Sequence, residues 1–164
     1  MAFRIIDQVL GSQPIADTST TQKHPLGTIV RAVDPTYGGG EFIYLKGVVS
    51  TTVGSFVNYD NSFQTALETA VTAGPPRPLA VSMSANVASQ YGWYQISGMA
   101  NGVKADTLSL ADNLAFGVTA GLVVAAVTGS LIHGAILAAV SSAKSGVTSI
   151  LVAINRPHTP SDIS

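Results

Sequence analysis

One long stretch of the chain carries no charged side chain, and this feature constrains the fold more than any other. From Asn113 to Ala143, 31 consecutive residues include no Asp, Glu, Lys or Arg. A membrane-spanning helix needs roughly 20 apolar residues, so the stretch is long enough to form one. It must therefore lie in a bilayer, in a protein core or in a contact between proteins.

The content of this stretch favours strands over a membrane helix. Four glycines interrupt it, and β-branched Val and Ile lie between them: Gly117, Gly121, Gly129 and Gly134. The Lys/Arg clusters and the Trp/Tyr belt that flank spanning helices are missing. Near the start, Arg4 and Asp7 interrupt any apolar signal-peptide core. We therefore expect no membrane contact, and a chain that stays in the cytoplasm or in a particle assembled there.

The same pattern extends over most of the chain. Short apolar runs recur about every ten residues, and turns that contain glycine or Asp close them. This spacing is typical of all-β sandwiches and barrels. The sequence therefore predicts an all-β fold, a small β-barrel or β-sandwich. Residues 62–73 fit a helix or a strand, with a slight preference for a strand and a turn. The predicted runs are 27–34, 41–49, 54–60, 79–84, 92–97, 103–105, 115–118, 122–127, 133–142 and 147–154.

The first 26 residues differ from the rest. A short apolar start is followed by a polar segment, from Gly11 to Pro25, that is rich in Ser, Thr and Pro. This predicts an extended N-terminal arm over residues 1–26, with apolar residues at its tip that dock on another surface. Residues 27–157 form the predicted β-rich domain, and residues 158–164 a C-terminal tail.

The composition excludes several classes of protein. Only 10% of the residues are charged, and eight Lys and Arg against nine Asp and Glu leave a net charge of −1. No basic excess is present to bind a phosphate backbone, so we expect no nucleic-acid partner. The chain has no cysteine, which excludes a disulfide-stapled miniprotein. A surface so poor in charge favours association, and we expect another protein to cover much of it.

The sequence contains none of the common catalytic signatures. A Walker loop, a dinucleotide-binding glycine motif, a nucleophile elbow and a zinc-protease helix are all missing. The carboxylates are scattered singly, and His24, His133 and His158 are far apart in the sequence. We therefore expect no enzyme, no cofactor and no metal site. Gly38–Gly40 lack a following helix, so they predict a flexible hairpin loop.

The densest aromatic cluster comprises Tyr91, Trp93 and Tyr94. Alternation in a strand places Trp93 on one face and Tyr94 on the other. One interpretation is a core Trp with a solvent-facing Tyr. The other is an interface anchor, since Trp and Tyr are enriched at binding hot spots. We predict these three residues at an interface between copies of the chain.

Three segments resemble a known group of proteins. They are Pro78–Ser84, Ala88–Gly98 and the closing Ile150–Pro157. Together with the glycine-spaced strands they resemble the capsid decoration proteins of tailed bacteriophages, also called cement or head-stabilising proteins. The likeness covers roughly residues 27–157.

This resemblance implies a β-rich structural protein on the outer surface of an icosahedral capsid. It implies the major capsid protein as a partner and self-association, as a trimer in preference to a dimer. We expect copies to bridge neighbouring capsid subunits and so to stabilise the shell of the virion, which is assembled in the host cytoplasm. The capsid contacts that we predict are Phe3, Ile5, Ile6, Tyr37, Gly38, Gly39 and Gly40.

Two other functions share the same composition. A tail or baseplate component, or a receptor-binding module of a virion, fits the sequence as well. A small membrane-embedded protein is the third interpretation, because of the long uncharged stretch.

Overall fold

The computed structural model describes residues 4–6, 11–69, 75–106, 108, 113–126, 131–140 and 148–160. The described residues form strands and no helix, so the predicted all-β class is confirmed. The strands are β1 (Arg4–Ile5), β2 (Thr18–Ser19), β3 (Ile29–Asp34), β4 (Gly38–Lys46), β5 (Phe56–Tyr59), β6 (Thr65–Leu67), β7 (Leu79–Ser82), β8 (Tyr91–Ala105), β9 (Leu114–Phe116), β10 (Val123–Ala125), β11 (His133–Val140) and β12 (Thr148–His158).

All twelve strands belong to one sheet, which branches at β8. The main path runs β1-β3-β4-β8-β7-β5-β6, while β12 continues from the second half of β8 and β11 pairs with β12. Every ladder is antiparallel except the short contact of β10 with β8. Within the described ranges no ladder joins β1 to β6. The sheet therefore does not close into a barrel.

The sheet branches because β8 is long enough to pair with different strands along its two halves. Its 15 residues pair with β4 over Tyr91–Gly98 and with β12 over Ser97–Ala105. Gly98 and Gly102 have φ values of +98° and +79°, in the left-handed region that favours glycine. The sequence predicted separate strands at 92–97 and 103–105. The glycines bend one continuous strand instead of ending it.

Three clusters of buried side chains lie against this sheet. The first cluster packs the second half of β8 against β9, β10 and β12, and it includes Phe56, Phe116, Val152 and Ile154. The second cluster includes Ile15, Phe42, Tyr44 and Trp93. The third cluster includes Leu45, Val57, Tyr94 and Ile96. Because Trp93 and Tyr94 point to opposite faces, the first half of β8 is buried on both sides.

The segment predicted as a free arm packs on the domain over residues 11–26. Ile15 is buried in the second cluster, and β2 pairs with the start of β8. The Trp93 indole N–H donates to the Gln13 carbonyl oxygen at 2.8 Å, and the Gln13 N–H donates to His24 Nε2 at 3.1 Å. Within residues 11–26, Ile15, β2 and the Gln13 backbone thus have partners in the sheet, while the predicted boundary of the arm at residue 26 stays a prediction.

The predicted C-terminal tail also begins inside the fold. His158 is the last residue of β12 and pairs with His133 of β11. Thr159 is buried, and its N–H donates to the Arg77 carbonyl oxygen at 3.0 Å while its Oγ1 accepts from the Arg77 N–H at 2.8 Å. Residues 158 and 159 of the predicted tail therefore have partners in the fold, and residues 161–164 lie outside the described residues.

Candidate interaction surface

A surface cavity of about 410 Å³ lies where β1, β3 and β4 meet the middle of β8 and the end of β12. We call it the β3–β4 cavity. Its lining consists of Ile6, Arg31, Ala32, Gly39, Gly40, Glu41, Ser97, Asn155 and Arg156.

The register of four adjacent strands assembles this cavity. Arg31 pairs with Glu41, Glu41 with Ser97, and Ser97 with Asn155. Ile6 follows β1, and its N–H donates to the Arg31 carbonyl oxygen at 3.0 Å. Residues that are distant in sequence therefore form one continuous row across the sheet.

Glycines keep the strands close together beneath the cavity. Gly40 pairs with Gly98 across β4 and β8. A Cβ atom at Gly98 would overlap the Gly39 carbonyl oxygen and lie 2.9 Å from the Gly40 Cα. A side chain at Gly98 would therefore force β4 away from β8.

Three charged side chains border the cavity. Arg156 Nη2 lies 2.7 Å from Glu41 Oε2, and Arg31 is the cross-strand neighbour of Glu41. The Arg156 and Glu41 side chains are 60% and 34% exposed, so solvent screens this pair and it contributes about 0–1 kcal/mol. Among the described residues, two guanidinium groups and one carboxylate therefore border the cavity, and the exposed Arg156 can donate paired N–H groups to a carboxylate.

Arg156 adopts a backbone conformation that is uncommon for its residue type. Its φ is +45°, in the left-handed region. The cause is a bulge in β12, because Gly134 of β11 faces three residues between the Ile154 and His158 pairings. The bulge places Arg156 between the β3–β4 cavity and a second cavity of about 280 Å³ beside Tyr59 and Pro78. Strained non-glycine residues of this kind cluster at functional sites.

The structure brings some of the predicted capsid-contact residues together. Ile6, Gly39 and Gly40 line the β3–β4 cavity. Ile5 is half-buried against the second cluster, and Tyr37 lies half-buried in the turn between β3 and β4. Phe3 lies outside the described residues.

The three glycines at 38–40 are not a flexible loop. They belong to β4 and pair with Asp34, Val33 and Ala32 of β3. The turn that joins the two strands is shorter than predicted. The Asp34 Oδ1 atom accepts the N–H groups of Thr36 and Tyr37 at 2.7 and 3.0 Å, and this side chain closes the turn.

The residues predicted at an oligomer interface are mostly in the core. Trp93 and Tyr94 have no exposed surface, so neither side chain is presented to another chain in this fold. Burial raises the pKa of Tyr94 to about 12, and its hydroxyl accepts from Asn86 Nδ2 at 2.9 Å. Tyr91 is half-buried and its ring stacks on Tyr44, with 6.3 Å between the ring centroids. The alternation was predicted correctly, but both faces of this strand are covered.

Sequence reasoning missed the charged residues of the cavity. The signal for Arg31 and Glu41 was present, because a hairpin that closes at Asp34 and Gly38 places them opposite one another. No sequence pattern predicted that Arg156 lines the cavity, since its position depends on the bulge opposite Gly134.

The three histidines are far apart in the sequence, but two of them meet in the structure. The His133 and His158 rings stack at the ends of β11 and β12, with centroids 5.2 Å apart and planes 13° apart. In the part of the chain that the structure describes, no group of three or more His, Cys, Asp or Glu could hold a metal ion. No helix within the same ranges has the length and apolar character needed to cross a bilayer.

Comparisons of the chain with protein-family models, with curated proteins and with solved structures find no match.

Proposed function

We propose that the chain is a structural protein of a tailed-bacteriophage virion that binds the outer surface of the capsid and bridges subunits of the major capsid protein. The observation that carries this proposal is the β3–β4 cavity. Ile6 and Gly39–Gly40, which the sequence predicted as contacts from two separate segments, lie beside one another there on an accessible surface.

The chemistry of the cavity fits an extended segment of a protein partner. Ile6 is 57% exposed and offers an apolar contact. Gly39 and Gly40 have no side chains, so a partner backbone can approach β4 closely. Arg156, whose side chain is 60% exposed, can bind a carboxylate through paired N–H groups. The segment of the capsid protein that binds here therefore carries an Asp or Glu next to an apolar side chain.

Binding of this kind stabilises a shell by mass action. A protein that binds only the assembled state adds RT ln(1 + [L]/Kd) per site, about 2.7 kcal/mol when its free concentration is 100 times Kd. The effect is repeated at every occupied site. Occupying contacts between subunits is thus enough to reinforce a capsid.

The test is co-sedimentation of the purified chain with expanded capsids assembled without it. We expect saturable binding by the wild-type chain. Arg156→Glu should weaken binding at least tenfold, because it reverses the charge that meets the carboxylate and places two carboxylates side by side. Far-UV circular dichroism and Trp93 fluorescence will show that the variant is folded.

Lys23→Glu is the matched control, since it changes the net charge by the same amount at an exposed position outside the cavity. It should bind as the wild-type chain does. Equal binding by Arg156→Glu, or no binding by the wild-type chain, would contradict the proposal. If negative-stain images of virions place the chain on the tail, it is a tail component or a receptor-binding module.

A further inference from the structure

Among the described residues, the strand β11 is an edge of the sheet. It pairs with β12 on one side, and among the described residues no ladder lies along His133–Val140 on the other side. Just before β11, Leu131 forms an isolated bridge with Ala115 and the Ile132 N–H donates to the Leu114 carbonyl oxygen at 2.8 Å, so the free edge begins after these contacts. An edge of eight residues presents a row of backbone donors and acceptors that can pair with another chain.

Natural proteins protect such edges with charged side chains, prolines, bulges or short strands. The strand β11 reads His-Gly-Ala-Ile-Leu-Ala-Ala-Val, without a charged residue or a proline. Its ladder with β12 has two shifts of register, one at Gly134 and one at Ala138. The edge therefore has neither charge nor proline to oppose pairing with another chain.

The outer sheet face next to this edge is apolar. Ile136 pairs with Ala153 of β12, and Ala153 pairs with Met99 of β8, so the three form one row across three strands. Ile136 is 72% exposed and Met99 is 36% exposed. On the opposite side of β11, Ala135 and Leu137 pack against the first cluster. The side chains on the inner face of β11 thus pack within the chain, whereas Ile136 on its outer face is exposed.

We propose that β11 pairs with β11 of a second copy of this chain across a two-fold axis. Antiparallel pairing centred on Leu137 sets Ile136 of one copy opposite Ala138 of the other. A large side chain then meets a small one on the outer face, twice by symmetry. In a two-fold contact, the same surface of both copies forms the interface. The strand β11 is suited to such a contact because it has no charge to repel an identical strand.

A second copy fits this edge better than a charged partner does. The strand has no charged group to match one, and the net charge of −1 gives two copies almost no long-range repulsion. A two-fold contact produces a dimer, in place of the trimer that the resemblance implied. The inference does not depend on capsid binding, so it can hold or fail separately from the proposed function.

The test is the mass of the full chain in solution, measured by light scattering and sedimentation velocity. We expect twice the chain mass of 16.8 kDa. Ile136→Asp should weaken self-association by about 30-fold or more, because it places a carboxylate in the centre of the contact. Val118→Asp is the control: Val118 is 93% exposed on the turn between β9 and β10, and its substitution should leave the dimer intact.

A cross-linking experiment keeps the proposal falsifiable if Ile136→Asp fails to fold. The chain contains no cysteine, so Ile136→Cys combined with Ala138→Cys introduces the only thiols. Mild oxidation should give a covalent dimer on a non-reducing gel, whereas Val118→Cys should stay at the mass of one chain. A monomer or trimer in solution, or a dimer that Ile136→Asp leaves unchanged, would overturn the proposal, and so would failure of the double variant to cross-link.

Discussion

His24 shows how one residue ties the N-terminal segment to the sheet. It is buried, and its Nε2 atom accepts the Gln13 N–H. Its ring lies 5.0 Å from the Tyr44 ring and 5.3 Å from the Trp93 ring. Burial lowers the pKa of His24, and the charge of Lys23 lowers it further. A neutral imidazole is therefore part of the folded structure.

We predict that acid destabilises the protein partly through His24. The unfolded chain takes up the proton near pH 6.5, while the folded chain takes it up only at a lower pH. The stability that His24 contributes is thus complete above pH 6.5 and falls as the pH drops toward the folded-state pKa. His24→Gln keeps an acceptor that does not titrate. The drop in the free energy of unfolding between pH 7.5 and 5.0, measured in urea, should be smaller in this variant, and an equal drop would refute the role of His24.

At the scale of elements, residues 11–26 behave as part of the sheet. Ile15 fills the second cluster, and the Gln13 carbonyl oxygen accepts the Trp93 indole N–H. Sequence patterns could not reveal this, because the polar composition of the segment is the same whether it lies free or folds back. Only the position of Trp93, about 80 residues later, decides between the two.

Deleting residues 1–20 should therefore destabilise the domain. Loss of Ile15 burial costs about 1.5–3 kcal/mol, and an indole N–H left without its acceptor costs about 1–3 kcal/mol more. Deleting residues 1–10 is the control, since it leaves Gln13 and Ile15 in place and should cost less. Urea unfolding followed by circular dichroism measures both. Equal stability of the two truncated chains would contradict this account of the segment.

Local sequence patterns predicted most of the strands, but they did not predict the residues at which the strands end. Alternation and glycine turns located most of the strands, including the hairpin around Thr119–Gly121 that joins β9 to β10. Gly98 and Gly102 were interpreted as breaks, because a sequence does not distinguish a glycine that ends a strand from one that bends it. In the cavity, Ile6 and Gly39–Gly40 were predicted as contacts, but their meeting depends on strand register.

The whole molecule depends on β8. This strand contributes Trp93 to the second cluster, Tyr94 to the third and Val103 to the first. Loss of pairing along β8 therefore exposes all three clusters at once. No separate part of the described chain has a core that is independent of this strand.

We predict that the protein unfolds in one cooperative transition. Trp93 is the only tryptophan and reports on the second cluster, whereas far-UV circular dichroism reports on the whole sheet. Because β8 couples the clusters, the two signals should change at the same urea concentration. A fluorescence transition at lower urea would show that the second cluster unfolds separately and would refute the coupling.

The pairing of β8 with β12 also sets when this protein can finish folding as it is made. A ribosome releases Tyr91–Ala105 well before Thr148–His158, so the second half of β8 leaves the exit tunnel without its neighbour. The first cluster is incomplete until β12 supplies Ile150, Val152 and Ile154. The second half of β8 can therefore complete its packing only after β12 has been synthesised. Until then, this apolar strand is exposed to chaperones and to other nascent chains.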